Sequence, residues 1–576
     1  MSAGGRRPIR RLEPRTIERI AAGEVVERPA SVAKELVENA IDAGAQRVSV
    51  RLDGGGLERI VVEDDGEGIP PEELGLAVER HATSKLAPDG PIDAIATLGF
   101  RGEALASIAS VARVRLLSRP AGEEVGHGIR IEGGEVAGRF QAPRAPGTTV
   151  EVADLFYRTP ARRKFLKSPA AEQLEIVRTL ARVYLARPSV ALRVSTGDLE
   201  LAVYPASVRL TDAAARVLGP EAARGAMALD APVPGGRIEG CLGAPASGAA
   251  TSTGLYLSVN GRAVISRSIP QAVRAAYGDS MPRARFPVGV LAFTIGRDGV
   301  DVNVHPTKRE VRFARERELL DALRVRVREA LIEAPAPSEA PLGRPSPAGR
   351  ARMPPPPLTA ARSSLVQARL DVSAGRSEPA LVAAPARWEL LGCVDRLYWV
   401  ALRDGGLVLV DQHAASERLL FDELRRDGRL ARQQLVAPVA VTLTALERAT
   451  LAAESEAVTA AGFDVEGFGP EAALVRAVPS YRVVRAAAAA LAGLLDELAD
   501  GVSAGVGPGA AERRAATIAC HAAIRAGDEI EPATMGAVLA ALDAEPGRAG
   551  SCPHGRPIFL ALPRARLDRW FLRSGA

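Results

Sequence analysis

The stretch that decides the fold is Ser31-Val32-Ala33-Lys34-Glu35-Leu36-Val37-Glu38-Asn39-Ala40-Ile41-Asp42-Ala43-Gly44. Its apolar residues recur at the spacing of one helix face, so we expect a helix with that face buried. Ser31 is the predicted N-cap, and Gly44 stands where a helix ends in the left-handed conformation. The opposite face carries four polar side chains, those of Glu35, Glu38, Asn39 and Asp42.

This polar face is poorly built for a helix exposed to solvent. Glu38 precedes Asp42 by one helical turn, and like charges at that spacing cost about 0.2–0.5 kcal/mol. Asp42 also lies near the negative end of the helix dipole. Taken alone, the helix permits two interpretations, a solvated acidic face or a catalytic or metal-binding face.

The composition is that of an ordinary globular protein. The chain has 576 residues, 47% hydrophobic and 25% charged, which is enough for three or four domains. A net charge of +5 permits nucleic-acid binding without arguing strongly for it. We find no N-terminal signal and no apolar run long enough to cross a bilayer, so we expect a soluble cytoplasmic protein without membrane contact. Four cysteines are too few for a disulfide scaffold and indicate thiols or metal ligands.

Two strands are predicted after the opening helix, at residues 47–52 and 59–63. The second strand runs into Asp64-Asp65-Gly66-Glu67-Gly68. Glycines in such a turn let the backbone approach a planar ligand closely, and an aspartate at the strand end can accept a hydrogen bond from an exocyclic amine. A tight turn without a ligand would show the same pattern.

A second candidate ligand loop follows His81-Ala82-Thr83-Ser84-Lys85 and consists of Gly99-Phe100-Arg101-Gly102-Glu103-Ala104-Leu105. Its two glycines bracket the start of a helix of small residues. Backbone N–H groups at such a helix start bind phosphate oxygens, although a simple turn before a core helix remains an alternative. A strand after Gly147 is predicted to close the pocket.

The succession of these motifs resembles the Bergerat-fold ATPases, a superfamily that includes gyrase B, Hsp90, histidine kinases and MutL. Residues 21–29, 35–39, 81–85 and 99–105 narrow the resemblance to the MutL family of DNA mismatch-repair proteins. The resemblance implies a multidomain α+β protein that begins with a Bergerat (GHKL) ATPase α/β sandwich at 1–212. It implies a ribosomal-S5-like second domain at 213–332, where the residues themselves show a strand–helix–strand pattern.

The rest of the chain divides in two. Residues 333–386 are rich in proline and alanine and are predicted to form a disordered linker. Residues 387–576 then form an α/β C-terminal domain, which the resemblance implies is used for dimerisation and as a metal-dependent endonuclease.

In the first domain, the basic segment 158–167 is either a solvated surface or one that faces DNA.

The resemblance also implies roles for residues around ATP and Mg²⁺. Glu35 would be the general base, and Asn39 would ligate Mg²⁺. Asp64 would bind the adenine amine, Gly66 and Gly68 would leave room for the base, and Asp65, often Asn in relatives, would add a charge near the nucleotide. The phosphates would contact Thr83 and the loop residues Gly99, Phe100, Arg101, Gly102, Glu103, Ala104 and Leu105.

Two further roles are implied for the second domain. The alternating segment 301–311 predicts a strand that ends in a loop exposing Lys308. In the family, a lysine at this place reaches the γ-phosphate; a plain exposed lysine is the alternative. Arg267 stands where relatives contact the DNA backbone.

Three short motifs of metal-ligand type occur in the C-terminal domain, around residues 411–417, 519–521 and 551–557. Their mixed donors suit Zn²⁺, with Mn²⁺ possible at the oxygen-rich side. Each motif alone is weak, since Cys520 could be a core thiol and His521 a surface residue. As a set they resemble the endonuclease site of nicking MutL proteins, which implies the metal-site residues Asp411, His413, Glu417, Cys520, Cys552 and His554, with Asp411 also catalytic; Asp422 stands where the family often has Glu.

The resemblance therefore implies an ATP-gated homodimeric clamp that binds DNA, acts after the mismatch-recognition protein MutS, hydrolyses ATP slowly and nicks DNA. Gln433, Leu435 and Pro438 fit the pattern by which relatives bind the replication sliding clamp (beta clamp), although so short a pattern also arises by chance. The alternative is a matchmaker scaffold without nuclease activity, whose C-terminal metal is structural. A topoisomerase subunit or a histidine kinase is not supported, because neither explains the C-terminal motifs.

Overall fold

The computed structural model describes most of the chain outside the termini and the linker. The described residues are 26–85, 97–99, 102–223, 225–245, 248–249, 252–281, 285–301, 311–333, 388–404, 406–469, 471–480, 487–503, 510–524, 530–543, 550–553 and 555–571. The predicted linker therefore lies, apart from Glu333, outside them. Among the described residues, no helix has the length and apolar character needed to span a bilayer.

The N-terminal part is built on an eight-stranded sheet. Its spatial order is β5-β4-β3-β6-β2-β1-β7-β8, and neighbours are antiparallel except β1 and β7, which are parallel. The strands are β1 (Arg47–Asp53), β2 (Arg59–Asp64), β3 (Arg113–Arg119), β4 (Gly126–Glu132), β5 (Glu135–Ala142), β6 (Gly147–Ala153), β7 (Ala191–Thr196) and β8 (Leu199–Tyr204). The predicted strands at 47–52 and 59–63 and the strand after Gly147 are confirmed.

Helices cover this sheet and complete its core. They are α1 (Pro29–Asp42), α2 (Ala104–Val111), α3 (Pro160–Lys164), α4 (Pro169–Ala186) and α5 (Leu210–Ala223). Val32, Leu36 and Val37 of α1 pack into one hydrophobic cluster with Val50 and Ile60 of the sheet. The predicted buried face of the opening helix is thus confirmed, and burial of such side chains contributes about 1.5–3 kcal/mol each.

The start of α1 differs from the prediction. The helix begins at Pro29, which occupies its first turn, and the N-cap position is Arg28. Ser31 is buried inside the helix and its hydroxyl has no hydrogen-bond partner, so the predicted N-cap is wrong. Proline supplies the helical φ in advance and lacks the N–H that would otherwise be unsatisfied. The predicted end is confirmed, because Gly44 has φ +74°.

The second domain is a five-stranded sheet with the order β12-β11-β13-β10-β9. Its strands are β9 (Met227–Val233), β10 (Gly236–Leu242), β11 (Leu255–Val259), β12 (Arg262–Val264) and β13 (Gly289–Ile295), and its helices are α6 (Ser268–Tyr277) and α7 (Glu316–Glu333). A short pair, β14 (Val300–Asp301) and β15 (Arg312–Phe313), lies beside them. The predicted domain boundary at 212 falls within α5, which contacts helix α4 and strands β10 and β13 of the second sheet.

The C-terminal part has two sheets. The first has the order β16-β17-β18-β22 and the second β19-β21-β20, formed by β16 (Glu389–Val394), β17 (Tyr398–Arg403), β18 (Gly406–Asp411), β19 (Arg432–Thr442), β20 (Asp464–Gly467), β21 (Ala472–Pro479) and β22 (Phe559–Leu562). The helices are α8 (Gln412–Asp427), α9 (Ala445–Ala453), α10 (Ser455–Ala460), α11 (Ala487–Ser503), α12 (Ala510–Ala522), α13 (Pro532–Asp543) and α14 (Arg564–Trp570). Each sheet packs on its own hydrophobic cluster.

Candidate functional site

A cavity of about 1110 Å³ opens beside α1 and the end of β2. It is large enough for a nucleotide. Residues from four N-terminal motifs and from the strand after Gly147 line it, including Glu35, Asn39, Asp64, Gly68, Thr83, Gly99, Gly102, Glu103, Ala104, Leu105 and Thr148. The fold thus brings together motifs that are separated by more than a hundred residues in the chain.

Asp64 is held rigidly at the end of β2. Its Oδ1 accepts hydrogen bonds from the N–H of Gly66 at 2.9 Å and from that of Thr148 at 3.0 Å. Burial raises the pKa of Asp64, although these two N–H groups act in the opposite direction. The backbone therefore fixes the orientation of a carboxylate that lines the cavity.

The glycines after Asp64 serve close backbone packing. Gly68 has φ +77°, and a Cβ there would lie 2.6 Å from the carbonyl oxygen of Arg119. At Gly66, a Cβ would lie 2.7 Å from the carbonyl oxygen of Ala43 at the end of α1. Side chains at either position would push β2 away from its neighbours. Gly68 also lines the cavity.

The expectation that Asp65 adds charge near the nucleotide is wrong. Its Oδ1 accepts hydrogen bonds from the N–H groups of Gln46 and Arg47, both at 2.8 Å, and its Oδ2 accepts one from Arg47 Nε at 3.0 Å. Burial opposes the change, but these donors lower the pKa of Asp65. The carboxylate therefore anchors the start of β1 instead of facing the cavity.

The helix that was predicted to follow the glycine loop is confirmed, since α2 begins at Ala104. Gly102 has φ +60°, and a Cβ there would lie 2.5 Å from the carbonyl oxygen of Ala82. Only glycine lets this loop pack against the turn that carries Thr83. Phe100 and Arg101 lie outside the described residues.

Asp42 and Lys85 belong to the same region, although the sequence motifs assigned neither of them a role. Asp42 accepts hydrogen bonds from the N–H groups of Leu98 and Gly99 at 2.8 and 3.0 Å, and from Lys85 Nζ at 2.6 Å. The side chain of Asp42 is buried. Two signals pointed to the pair: the unfavourable acidic spacing on α1, and the rarity of lysine in a chain whose basic residues are mostly arginine.

The second domain reaches this region through Arg262 on β12, which donates a hydrogen bond from Nη2 to the Thr97 carbonyl at 3.2 Å. Arg267 is exposed at the start of α6, so its predicted DNA contact is sterically open. Lys308 lies outside the described residues.

A candidate metal centre lies in the C-terminal part. Ligand atoms of His413, Glu417 and Cys520 all lie within 4.8 Å of one another. His413 and Glu417 lie one turn apart on α8, and Cys520 is on α12. Imidazole, carboxylate and thiolate are donors that Zn²⁺ accepts in tetrahedral sites, so the group fits the predicted ion.

The environment of this group orients the histidine for metal binding and keeps the cysteine protonated in the absence of an ion. His413 Nδ1 lies 2.8 Å from the carbonyl oxygen of Ile524, and because a carbonyl can only accept, Nδ1 carries the proton and Nε2 is left as the ligand atom. Burial and the Glu417 carboxylate raise the pKa of the Cys520 thiol to about 12. The thiol is therefore protonated without metal, and binding of an ion there releases a proton.

Among the described residues, Asp411 and Cys552 are predicted metal-site residues that do not belong to the group of three. Asp411 caps α8, its Oδ1 accepting hydrogen bonds from the N–H groups of His413 and Ala414 at 2.9 and 3.0 Å. Cys552 is buried in an apolar cluster, and Asp422 forms a two-bond ion pair with Arg418. His554 lies outside the described residues. Asp411 and Cys552 thus remain predictions as ligands.

The segment of the predicted clamp-binding motif lies at the surface on β19. Gln433 pairs with Val478 of β21, but the pairing register shifts between Gln434 and Val439. Leu435 is half-buried, whereas Pro438 is exposed. The interruption leaves this segment outside the regular ladder, accessible to another chain.

Family models match three parts of the chain. The model described as "Histidine kinase-, DNA gyrase B-, and HSP90-like ATPase" matches residues 27–135. The model "DNA mismatch repair protein, C-terminal domain" matches 214–332, and "MutL C terminal dimerisation domain" matches 391–530. The fold and the cavity thus define an ATPase of the gyrase B and Hsp90 class, joined to a dimerisation domain.

Similarity to curated proteins then identifies the family. The chain is 40% identical to the DNA mismatch repair protein MutL of Phenylobacterium zucineum over 98% of its own length and 100% of that protein. It is 39% identical to MutL of Caulobacter vibrioides and of Methanoculleus marisnigri, again over 98% of this chain and 100% of theirs. The chain belongs to the MutL family of DNA mismatch repair proteins, as predicted.

Solved structures that resemble the chain cover about half of it. One, described as the N terminal domain of a DNA repair protein, is 23% identical and covers 55% of this chain and 98% of its own, with a TM-score of 0.48. Another is the Aquifex aeolicus MutL ATPase domain complexed with ADP, 24% identical over 53% of this chain and 98% of its own, with a TM-score of 0.38.

Proposed function

We propose that this protein is an ATP-gated homodimeric clamp of mismatch repair that acts after mismatch recognition and nicks DNA through its C-terminal metal centre. The observation that carries the nicking activity is the group formed by His413, Glu417 and Cys520. Its donors come from two helices that are far apart in sequence, and its histidine is oriented by a backbone carbonyl.

The N-terminal cavity supports ATP hydrolysis by residues with separate tasks. Glu35 takes a proton from the attacking water. Asp64 accepts a hydrogen bond from the adenine amine, while Thr83 and the start of α2 hold phosphate oxygens. Asn39 ligates Mg²⁺ through its amide oxygen, and the ion neutralises phosphate charge when bound. Lys308 would bring a further positive charge to the γ-phosphate and so link nucleotide binding to the second domain.

The C-terminal centre supports phosphodiester cleavage. His413, Glu417 and Cys520 would hold Zn²⁺, with Mn²⁺ as the other ion that the carboxylate side accepts. Such an ion, when bound, supplies a polarised water and a counter-charge for the scissile phosphate. Asp411, Cys552 and His554 are the proposed further members of the site. Arg267 would bind the DNA backbone.

One face of the C-terminal sheet supports the homodimer. Trp399, Val408 and Val410 point into the core, whereas the opposite face of the same strands is apolar and exposed or half-buried. Its residues are Val394, Tyr398, Val400, Leu402, Leu407, Leu409 and Leu560. A continuous apolar sheet face of this kind is what a permanent dimer interface buries, and the matching family model is that of a dimerisation domain.

We propose two protein partners besides the second copy. The mismatch-recognition protein MutS would bring the dimer to DNA. The replication sliding clamp would bind the exposed segment that contains Gln433, Leu435 and Pro438, whose interrupted pairing leaves it open to another chain.

The nicking of closed-circular DNA with Mn²⁺ tests this proposal against a scaffold with a structural metal. Wild type is expected to nick, and His413→Ala and Asp411→Asn to lose at least tenfold in rate. Asparagine keeps the oxygen that caps α8, so Asp411→Asn should fold normally. Absence of nicking by a metal-loaded wild-type dimer, or equal nicking by all three proteins, would favour the scaffold.

A further inference from the structure

Lys34 is buried on α1 between two glutamates. Its Nζ lies 3.2 Å from Glu35 Oε1 and 2.8 Å from Glu38 Oε2. The side chains of Lys34 and Glu38 are 10% and 5% exposed, and that of Glu35 is 19% exposed at the cavity. The ammonium therefore joins a fully internal carboxylate to the one that faces the nucleotide cavity.

Helix geometry explains the contact of Lys34 with Glu38 but not its contact with Glu35. Lys34 and Glu38 are one turn apart and meet as such pairs normally do, whereas side chains of consecutive residues do not face each other. The contact with Glu35 requires the ammonium to lie across the helix surface toward the cavity. Burial opposes the charge on Lys34, but Glu38 and Glu35 outweigh it and raise the pKa of the lysine.

A buried ion pair contributes little net stability to a folded protein. Desolvation of both groups offsets much of their attraction, and apolar residues of similar volume often stabilise a core as well or better. Burial raises the pKa of Glu38, whereas the Lys34 ammonium and, from the second domain, the Arg262 guanidinium act in the opposite direction and favour its carboxylate. The same arginine donates to the Thr97 carbonyl beside the phosphate loop.

We propose that Lys34 is a positioning residue for ATP hydrolysis: its ammonium, anchored by Glu38, holds the Glu35 carboxylate in the orientation that accepts a proton from water. The proposal rests on the assigned role of Glu35 as general base. Lys34 itself does not touch the reacting atoms. Its ion pair restricts the rotamers of Glu35, whose side chain has three rotatable bonds.

The test removes the buried pair without leaving a lone charge. Lys34→Met/Glu38→Leu replaces both side chains by apolar ones of similar volume, which buried pairs tolerate. We expect the full-length variant to keep its Tm within a few degrees and its affinity for a non-hydrolysable ATP analogue within twofold, while kcat falls at least tenfold. This separation of kcat from binding is not expected of a pair that only stabilises the fold.

Arg28 and Glu172 offer a matched control. They form a partly buried ion pair between the N-cap position of α1 and helix α4, with two hydrogen bonds of 3.0 and 3.2 Å, and neither lines the cavity. Arg28→Met/Glu172→Leu is expected to change stability but to leave kcat within twofold of wild type. Lys34→Arg, which keeps a cation in place, should recover part of the lost kcat.

Two results would overturn the proposal. One is a folded Lys34→Met/Glu38→Leu protein with kcat within twofold of wild type, and the other is a parallel loss of kcat and nucleotide affinity. If that variant does not fold, Lys34→Gln decides by the same criteria, because its amide still donates to Glu38. Glu35→Gln is measured alongside, since wild-type hydrolysis by that variant would refute the base assignment itself and not the role of Lys34.

Discussion

The ammonium of Lys85 lies 2.7 Å from the amide oxygen of Asn39. Asp42 holds the same ammonium at 2.6 Å, so a side-chain cation stands beside the oxygen that is proposed to ligate Mg²⁺. The Asn39 oxygen thus already contacts a positive charge, and the proposed ligation of Mg²⁺ by Asn39 would require the Lys85 ammonium to move away, because the two cations would repel each other.

Asn39→Ala is expected to abolish binding of Mg²⁺ and ATP. The substitution removes the amide oxygen from the site, while Asp42 keeps Lys85 and the loop N–H groups in place, so the fold should persist. Titration calorimetry with a non-hydrolysable analogue and Mg²⁺ measures the loss. An affinity within threefold of wild type would show that Asn39 is not a ligand.

Asp64→Asn is expected to weaken ATP binding at least tenfold, about 1.4 kcal/mol. The N–H groups of Gly66 and Thr148 will hold the asparagine oxygen, which turns its NH₂ group toward the adenine amine, donor against donor. Calorimetric titration gives the affinity, and an unchanged Tm shows that the strand end is intact. Tight ATP binding by this variant would place the adenine elsewhere.

His413→Ala and Cys520→Ser are expected to lose the C-terminal metal. Each removes one of the three donors that the described residues bring together, and the loss of a donor weakens a site whose ion requires a complete ligand set. Mass spectrometry of the purified dimer measures Zn²⁺ content. Cys241→Ser is the control, because Cys241 is buried in the second domain; metal loss in the control but not in the test variants would contradict the site.

Leu435→Ala is expected to weaken binding to the sliding clamp at least tenfold, because it removes the apolar anchor of the motif. Val436→Ala is the matched control, since Val436 is fully exposed, next in the chain and outside the pattern. Surface plasmon resonance with immobilised clamp compares the two. Equal losses, or none, would mean that the pattern arose by chance.

The sequence alone predicted the structural features that depend on the spacing of neighbouring residues. The buried face of α1, the strand into Asp64 and the glycine loop before α2 were all readable from periodicity and turn residues. The pairing of His413 with Glu417 followed from their one-turn separation on a helix. Family resemblance then supplied the chemistry that the spacing left open.

The features that the sequence did not predict depend on contacts between segments that are far apart in the chain. Lys85 meets Asp42 across 43 residues, and Arg262 reaches Thr97 across 165; no local pattern encodes either. Asp65 was misassigned because a turn motif does not reveal which way a side chain points. Ser31 was a sound N-cap type, but Pro29 starts the helix earlier.

The assignment of Glu35 as general base is the centre of the account, and single-turnover ATP hydrolysis by Glu35→Ala tests it most directly. Alanine removes the carboxylate and leaves Asn39, Asp64 and the phosphate loop unchanged. If Glu35 is the base, the variant binds ATP with wild-type affinity while hydrolysis falls at least a hundredfold, in the range typical of a lost general base. Hydrolysis at the wild-type rate by a variant that binds ATP would contradict the assignment.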